Sequence, residues 1–453
     1  MITSLVNKYN VAGPRYTSYP TVPYWDESTF SVDGYLRTLK TTFESSKSDG
    51  ISLYIHLPFC ESLCTFCACH KHITKRHQVE EDYIDAVLKE WTLYVDFLED
   101  KPHIKEIHLG GGTPTFFSSE NLSKLFDGIF KISVITADYE LSFEAHPNHT
   151  SKEQLQALFD LGFRRLSFGI QDYGEKVQKA INRIQSFEQV KAVTEWSREI
   201  GYTSVSHDLI FGLPFQTLEN IKDNITKTAD LLPDRISLYS YAHVPWVKGV
   251  GQRGFDEKDL PKPKQKREMY EAAKSAFSDL GYDEIGMDHF ALKTDSLYKS
   301  AKSKSLHRNF MGYTTNKTPL MIGLGMSSIS DSWGGFSQNI KTVKSYQECV
   351  QTGQFSLFRG HILSKEDKVI RKHILNLMCH FETSWQSETL RFEGLEVTLE
   401  RLQEMEKDEL IQINDSSLIV LENGIPFVRN VCMAFDQHLM KNQPTKSVFS
   451  MTI

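Results

Sequence analysis

The sequence predicts an α/β fold, a partial (β/α)6 barrel followed by a smaller, mostly helical C-terminal domain. Three observations predict it. Six short apolar runs alternate with helix-periodic segments through the first two-thirds of the chain. The helical segments open on capping residues and stop near glycine. Beyond residue 360 the texture changes to helices and one hairpin.

The strand candidates are Ile51–Leu57, Ile104–Leu109, Glu140–Ala145, Arg164–Ile170, Ser204–Phe211 and Arg235–Ala242. Between them, Thr150 and Glu153 form a capping box ahead of Leu155, Leu158 and Phe159, with Gly162 as a stop. Ser186 and Gln189 repeat the signal before Val190, Val193 and Ile200. Six β–α units in sequence imply a parallel sheet, because each return crossover needs a helix. Curled, that sheet is a partial barrel with its functional residues at the C-terminal strand ends. A doubly wound open sheet is the alternative.

The last part reads as helices Lys365–Cys379 and Leu399–Asp408, a hairpin over Leu410–Val420 with Asn414-Asp415 near its turn, and a final helix after Pro426. Helices before a hairpin resemble a winged helix. Residues 361–453 hold 10 Lys and Arg against 14 Asp and Glu, so nucleic-acid binding is not expected and packing against the barrel is.

Composition narrows the class further. At 453 residues the chain exceeds one compact core. Its net charge of −7 gives no general pull toward nucleic acid or an anionic membrane. The first residues lack an apolar signal core and no 18-residue apolar run occurs, so a cytoplasmic protein without a membrane span is expected. No long apolar helix or heptad run is left over for a partner, which favours a monomer.

Of seven cysteines, four fall between positions 60 and 69. Disulfide frameworks spread cysteines along the chain, whereas four thiols this close suit a metal or cluster in a reducing compartment. Cys60, Cys64 and Cys67 directly follow the first strand at C-x3-C-x2-C spacing. Three thiolates can wrap three corners of a [4Fe–4S] cubane, and one iron without a protein ligand stays open to a substrate. A closed zinc site with Cys69 or His70 as fourth ligand competes, but such sites usually pair two knuckles and the chain has one. Cys69, separated from Cys67 by one residue, is either a spare thiol or a catalytic neighbour of the cluster.

Gly110-Gly111-Gly112-Thr113 follows the second strand and reads as a cradle for an amino-acid moiety, although a tight βα turn also needs glycine. Glu144, Gln171 and Asp208 stand at later strand ends and Arg183 on the following helix. Each is a ligand contact or part of a structural polar ring.

These residues resemble the radical S-adenosylmethionine (SAM) superfamily, and in detail its oxygen-independent coproporphyrinogen III oxidase (dehydrogenase) branch. The resemblance runs nearly end to end. It includes Tyr54 through Cys69, Gly110 through Thr115, Pro14-Arg15-Tyr16-Thr17-Ser18-Tyr19-Pro20, Ser167 through Asp172, Asp208 through Pro214, Ile285 through Ala291, His307 through Thr315 and Arg429 through Met433. It implies a cluster reduced by one electron that cleaves SAM to a 5′-deoxyadenosyl radical. That radical removes a β-hydrogen from a propionate of coproporphyrinogen III, and loss of CO₂ and an electron leaves a vinyl group. Two rounds give protoporphyrinogen IX, served by an unidentified low-potential electron donor and a terminal acceptor.

The resemblance also implies two SAM molecules. Contacts transfer to Tyr54, Gly111, Glu144 and Ile329, with Phe310, for the first, and to Phe66, Gly112, Thr113, Gln171, Arg183, Asp208 and Ala242 for the second. Cys69 marks the oxidase rather than the related haem-chaperone branch. The implied organisation is an N-terminal arm over 1–45, the radical SAM barrel over 46–285, an extension covering substrate and SAM over 286–360, and the C-terminal domain over 361–453. After Glu144 the chain departs from the family: Ala145-His146-Pro147-Asn148-His149 stands where Asp-Pro-Arg is more usual. His146 and His149 read as surface residues of that loop rather than substrate-facing ones. Arg15, Tyr16, His307 and Arg308 are candidates for the propionates, because carboxylates favour Arg and His⁺. A haem-transfer protein on the same scaffold and another radical SAM enzyme acting on haem are the competing functions.

Overall fold

The computed structural model describes residues 2–26, 28, 30–245, 251–444 and 448–452. Twelve strands form one sheet: β1 (Ile51–Leu57), β2 (His103–Gly111), β3 (Val134–Ala145), β4 (Arg165–Gln171), β5 (Ser204–Phe211), β6 (Arg235–Ser240), β7 (Tyr282–Gly286), β8 (His289–Leu292), β9 (Met321–Leu324), β10 (Ile329–Asp331), β11 (Gly335–Asn339) and β12 (Leu357–Ile362). Their order is β12-β11-β10-β9-β1-β2-β3-β4-β5-β6-β8-β7. β1 to β6 and β9 run parallel, and the flanking strands antiparallel.

Alternation explains which face goes where. Along β1, Ile51, Leu53, Ile55 and Leu57 are buried in the main apolar cluster, under helices such as Val79–Leu98. Ser52, Tyr54 and His56 point the other way. Glu106, Glu140, Ser167, Asp208, Ser237 and His289, from six different strands, line one internal cavity. A flat sheet could not bring them together, so the sheet is curled with a polar lumen. Charged groups there have partners: Arg165 pairs with Glu140, and Glu106 accepts from the Ser52 hydroxyl at 2.8 Å.

The predicted strands are all present: β2 and β3 are longer than expected, β4 is shifted by one residue and β6 ends at Ser240, two residues early. β3 begins at Val134, where Val134 and Tyr139 are exposed and no apolar alternation marks the strand. The capping box predicted at Thr150 lies one residue later: the Ser151 side chain accepts from the Gln154 N–H, and Gln154 caps in return. Thr150 instead donates to the Thr115 hydroxyl and the His146 carbonyl, which ties two βα loops together. The Ser186–Gln189 box stands as expected.

The C-terminal part holds helices Lys365–His380, Leu395–Lys407, Val428–Phe435 and Gln437–Lys441 and a small sheet. The hairpin strands Ile411–Asn414 and Ser417–Val420 are joined there by Glu382–Ser384. Its apolar cluster takes in Val6, Tyr9, Tyr16 and Tyr19, so the first residues of the chain pack into the last domain. Tyr9 and Lys8 both donate to Asp408, each at 2.6 Å. Among the described residues, no helix is long and apolar enough to cross a membrane.

Candidate active site

The chain leaves β1 at Leu57 and is anchored at once by Phe59, whose ring is buried 5.4 Å from Tyr83, 5.5 Å from Phe116 and 5.6 Å from Phe117. The following loop is closed on itself: His72 N–H donates to the Pro58 carbonyl and Thr74 N–H to that of Cys60. Its far side is pinned across the barrel mouth. Thr65 donates from backbone and hydroxyl to the Ile181 and Ala180 carbonyls, and Asn182 donates to that of Leu63. A loop held at both ends presents its cysteines from a fixed backbone.

Cys60, Cys64, Cys67 and Cys69 line one open cleft of about 940 Å³ at the C-terminal ends of the strands. Gly111, Gly112, Thr113, Phe66, Glu144, Gln171, Arg183 and Asp208 line the same cleft. Arg183 donates to the Gly169 carbonyl and stands with Nη1 3.8 Å from the Cys64 sulfur. Burial pushes the Cys60 thiol up to about 11. Cys67 and Cys69 titrate against each other: the neighbouring thiol, with Lys71 nearby, pulls Cys67 down and Cys69 is held well above the usual thiol range.

The donor set tests what these cysteines could hold. Zinc–sulfur bonds of about 2.3 Å place tetrahedral thiolates roughly 4 Å apart. Among the described residues, no three of the cysteines bring their sulfurs within 4.8 Å of one another, as one bound zinc ion would require, and the trio of metal-ligating side chains that meets this limit is His361, Asp367 and His438. Three thiols on one fixed loop are the donor set of an iron–sulfur cluster with one open corner. In the His361 trio, His438 bonds Asp367 at 2.7 Å, while His361 Nδ1 accepts from the Asp26 N–H and its Nε2 stands 3.6 Å from Asp367.

The glycines of the second loop serve the protein as well as the cleft. A Cβ at Gly110 would meet Glu144 and Tyr54, at Gly111 (φ +113°) the His56 ring, and at Gly112 the Pro58 backbone at 2.5 Å. The loop is thus laid directly on the cysteine loop, with Gly112 N–H donating to Leu57 and Thr113 N–H to Phe59.

Rim electrostatics are uneven. Burial pushes Asp208 up to about 6, against a 2.7 Å hydrogen bond from Ser167. Burial also pushes the Glu144 carboxyl up, but His108, 3.6 Å away, and the Gly111 N–H outweigh it and hold Glu144 below the usual range. Gln171 sits at φ +70°, a conformation costing about 1 kcal/mol or more for a non-glycine residue, at the point where β4 gives way to the cleft.

Other expected contacts stand around this centre. Tyr54 bonds His56 Nδ1 at 3.0 Å, and His56 Nε2 bonds the His70 carbonyl at 2.8 Å. The Ala242 carbonyl accepts from Gln252, which also reaches the Phe66 carbonyl. Phe310 and Ile329 pack with Trp25 and Phe336. The expectation for His146 and His149 is corrected. Both line the cleft, His146 is buried, and His149 pairs with Glu61 at 3.2 Å. Burial lowers His146 to about 2, so it faces the cleft as a neutral ring. No sequence signal separates these two from ordinary loop histidines.

The family profile of the Radical SAM superfamily matches residues 54–227. The oxygen-independent coproporphyrinogen III oxidase of Helicobacter pylori (strain J99) is 38% identical over 443 residues, covering 96% of this chain and 96% of that protein. The corresponding Escherichia coli (strain K12) protein is 36% identical over 443 residues, covering 96% and 95%. A solved structure of coproporphyrinogen III oxidase from Escherichia coli, described as a radical SAM enzyme, superposes with a TM-score of 0.89 at 34% identity, over 96% of this chain and 99% of that one.

Proposed function

The chain belongs to the oxygen-independent coproporphyrinogen III oxidases of the radical SAM superfamily, and from that membership we propose how its residues divide the work. The reaction is the oxidative decarboxylation of two propionate side chains of coproporphyrinogen III to vinyl groups, in haem biosynthesis. A [4Fe–4S] cluster and SAM belong to the family. When bound, they supply the one-electron chemistry that removes a β-hydrogen from a propionate, after which CO₂ and a further electron leave.

Cys60, Cys64 and Cys67 hold three corners of the cluster, and Cys69 stands beside it as a neighbouring thiol. Tyr54, Gly111, Glu144, Ile329 and Phe310 serve a first SAM. Phe66, Gly112, Thr113, Gln171, Arg183, Asp208 and Ala242 serve a second. Arg183 suits a methionyl carboxylate, since a guanidinium fork matches it bidentately. The protein acts as a cytoplasmic monomer fed by a low-potential donor. The observation that carries this reading is the meeting of the three cluster cysteines with Thr113, Glu144, Gln171, Arg183 and Asp208 in one cleft.

One anaerobic assay tests it: reconstituted protein, SAM, a strong reductant and coproporphyrinogen III, with products read by mass spectrometry. Mono- and then di-decarboxylated porphyrinogen with 5′-deoxyadenosine is the expected result. 5′-Deoxyadenosine beside an intact tetrapyrrole would overturn the substrate.

A further inference from the structure

Beside the mouth of the barrel, the C-terminal end of β6 borders a second pocket of about 680 Å³. It lies between that strand end, helix Pro263–Asp279, the Met287-Asp288 turn and the Ile425–Arg429 segment of the C-terminal domain. Its charge is lopsided. Arg15, Lys266 and Arg429 face it, and Asp288 is already paired with Arg15 at 2.8 Å. The other acidic lining residue, Glu284, is neutralised by Lys274 at 2.6 Å, and the lining Arg267 pairs with Glu271. Lys266 finds one neutral acceptor, the Tyr241 carbonyl at 2.8 Å. Arg429 is bonded to backbone carbonyls alone. Behind them Arg308, buried over the Tyr313 ring, donates to the Arg15 carbonyl, while its Nε and Nη1 have no hydrogen-bond partner among the described residues.

Three cations therefore crowd one place around a single free-standing carboxylate, Asp288, which Arg15 takes, and among the described residues Lys266 and Arg429 are bonded to backbone carbonyls only. Burial, with Arg15 beside it, presses the Lys266 ammonium down to about 8. Such an arrangement costs stability unless an anion completes it. The pocket is coupled to the cysteine cleft through one stretch of chain. Tyr239 lines the cleft, while Arg15 donates to the carbonyl of Ser240 and Lys266 to that of Tyr241. A ligand that reaches both can set anionic groups against Lys266 and Arg15 while another part of it lies in the cleft.

We propose that this pocket binds the propionate carboxylates of coproporphyrinogen III that are not reacting, with Lys266 and Arg15 as the contacting groups. The assignment rests on the function proposed above and adds to it the residues that orient the ring. Of the four sequence candidates for propionate binding, it keeps Arg15 as a contact and Arg308 as a supporting charge. Tyr16 is buried with its hydroxyl on Asp436, and His307 is buried away from the pocket lining.

The test is anaerobic binding of coproporphyrin III, the oxidised and fluorescent form of the substrate, to the reconstituted protein, with its tetramethyl ester as the uncharged comparison. Lys266→Met and Arg15→Gln should each weaken the acid about tenfold or more, the loss expected for a charge-assisted hydrogen bond. Lys266→Arg should restore it, and the ester should bind wild type and Lys266→Met alike. Iron content and circular dichroism control for folding. Unchanged affinity of both variants for the acid, or equal losses for acid and ester, would overturn the assignment. A wild type that cleaves SAM yet neither binds nor converts the tetrapyrrole would instead remove the substrate reading itself.

Discussion

The hydroxyl of Thr113 lies 3.4 Å from the sulfur of Cys60. The loop after β2 thus touches the loop after β1 at the first cluster cysteine, and Gly112 is what lets the two chains approach. A methyl group at Gly112 would sit 2.5 Å from the Pro58 backbone, which cannot move aside as a side chain can. Gly112→Ala should cost about 2 kcal/mol of stability and lower iron loading. At Gly110 the neighbours are the Glu144 and Tyr54 side chains at 3.2 Å, so Gly110→Ala should keep its iron better. Thermal melts with iron-to-protein ratios compare the two, and equal iron in both variants counts against the contact.

Cys69 shares the cleft with Cys67 but is separated from it by a single residue, an awkward spacing for two corners of the same cubane. Cys69→Ser should therefore keep its iron and sulfide content, while serine at Cys60, Cys64 or Cys67 should lose it. Iron and sulfide assays on the four anaerobically reconstituted variants decide this. Loss of iron in Cys69→Ser would make it a ligand.

Arg183 links the Gly169 carbonyl to the edge of the cysteine loop. Removing its charge with Arg183→Gln should weaken SAM binding by roughly 10- to 100-fold, as for other charged hydrogen bonds. Equilibrium dialysis with labelled SAM reads the change, and Arg183→Lys should recover only part because one ammonium cannot fork. Full recovery by lysine would mean that charge alone matters.

Much of this site is legible in the sequence because its residues sit where β–α alternation ends. A strand followed by Cys60 or by Gly110 announces a loop at the barrel mouth, and polar residues at later strand ends fall on the same rim. The sheet beyond β6 is not legible. β11 reads Gly-Phe-Ser-Gln-Asn and is fully buried, because Gln338 and Asn339 find partners inside, Asn339 at 2.7 Å from Glu90. A periodicity search expects apolar residues at such positions. His146 was missed for a related reason: its burial depends on Thr115 and Arg183 packing around it from other loops. The Lys266 pocket draws on stretches of chain as far apart as Arg15, Ser240, Lys266, Asp288 and Arg429, and no local pattern marks it.

His207 gives a test of pH dependence. It is buried, bonded through Nε2 to Thr194, and burial lowers it to about 3. The unfolded chain takes up a proton below about 6.5 while the folded chain resists it, so this group's contribution falls as pH drops from about 6.5 toward 3. His207→Gln removes that loss. The stability gap between wild type and variant should narrow by ~2–3 kcal/mol between about pH 7 and about pH 4.5. Asp208 and Glu90, which burial shifts the other way, are common to both proteins and cancel in the difference. Urea unfolding at the two pH values measures it, and a constant gap would mean that His207 is not held neutral.

Arg429 holds the two ends of the chain. Its guanidinium donates to the carbonyls of Gly13, Pro14 and Met451, and Thr452 N–H donates to the Val11 carbonyl beside them. Arg429→Met keeps the side-chain bulk but strands three acceptors, each worth about 1 kcal/mol or more when buried. The loss should be local. Tyr16 and Tyr19 remain seated in the C-terminal apolar cluster, Tyr16 through Asp436 as well, so the arm should open on either side of them rather than detach. Hydrogen exchange should therefore quicken over residues 11–15 and 448–452 and stay slow at Tyr16 and Tyr19. Because Arg15 lies in the loosened stretch, coproporphyrin III binding should weaken with it. Exchange that rises evenly through the C-terminal domain would show instead that Arg429 supports the whole core, and the link from arm to pocket would fall.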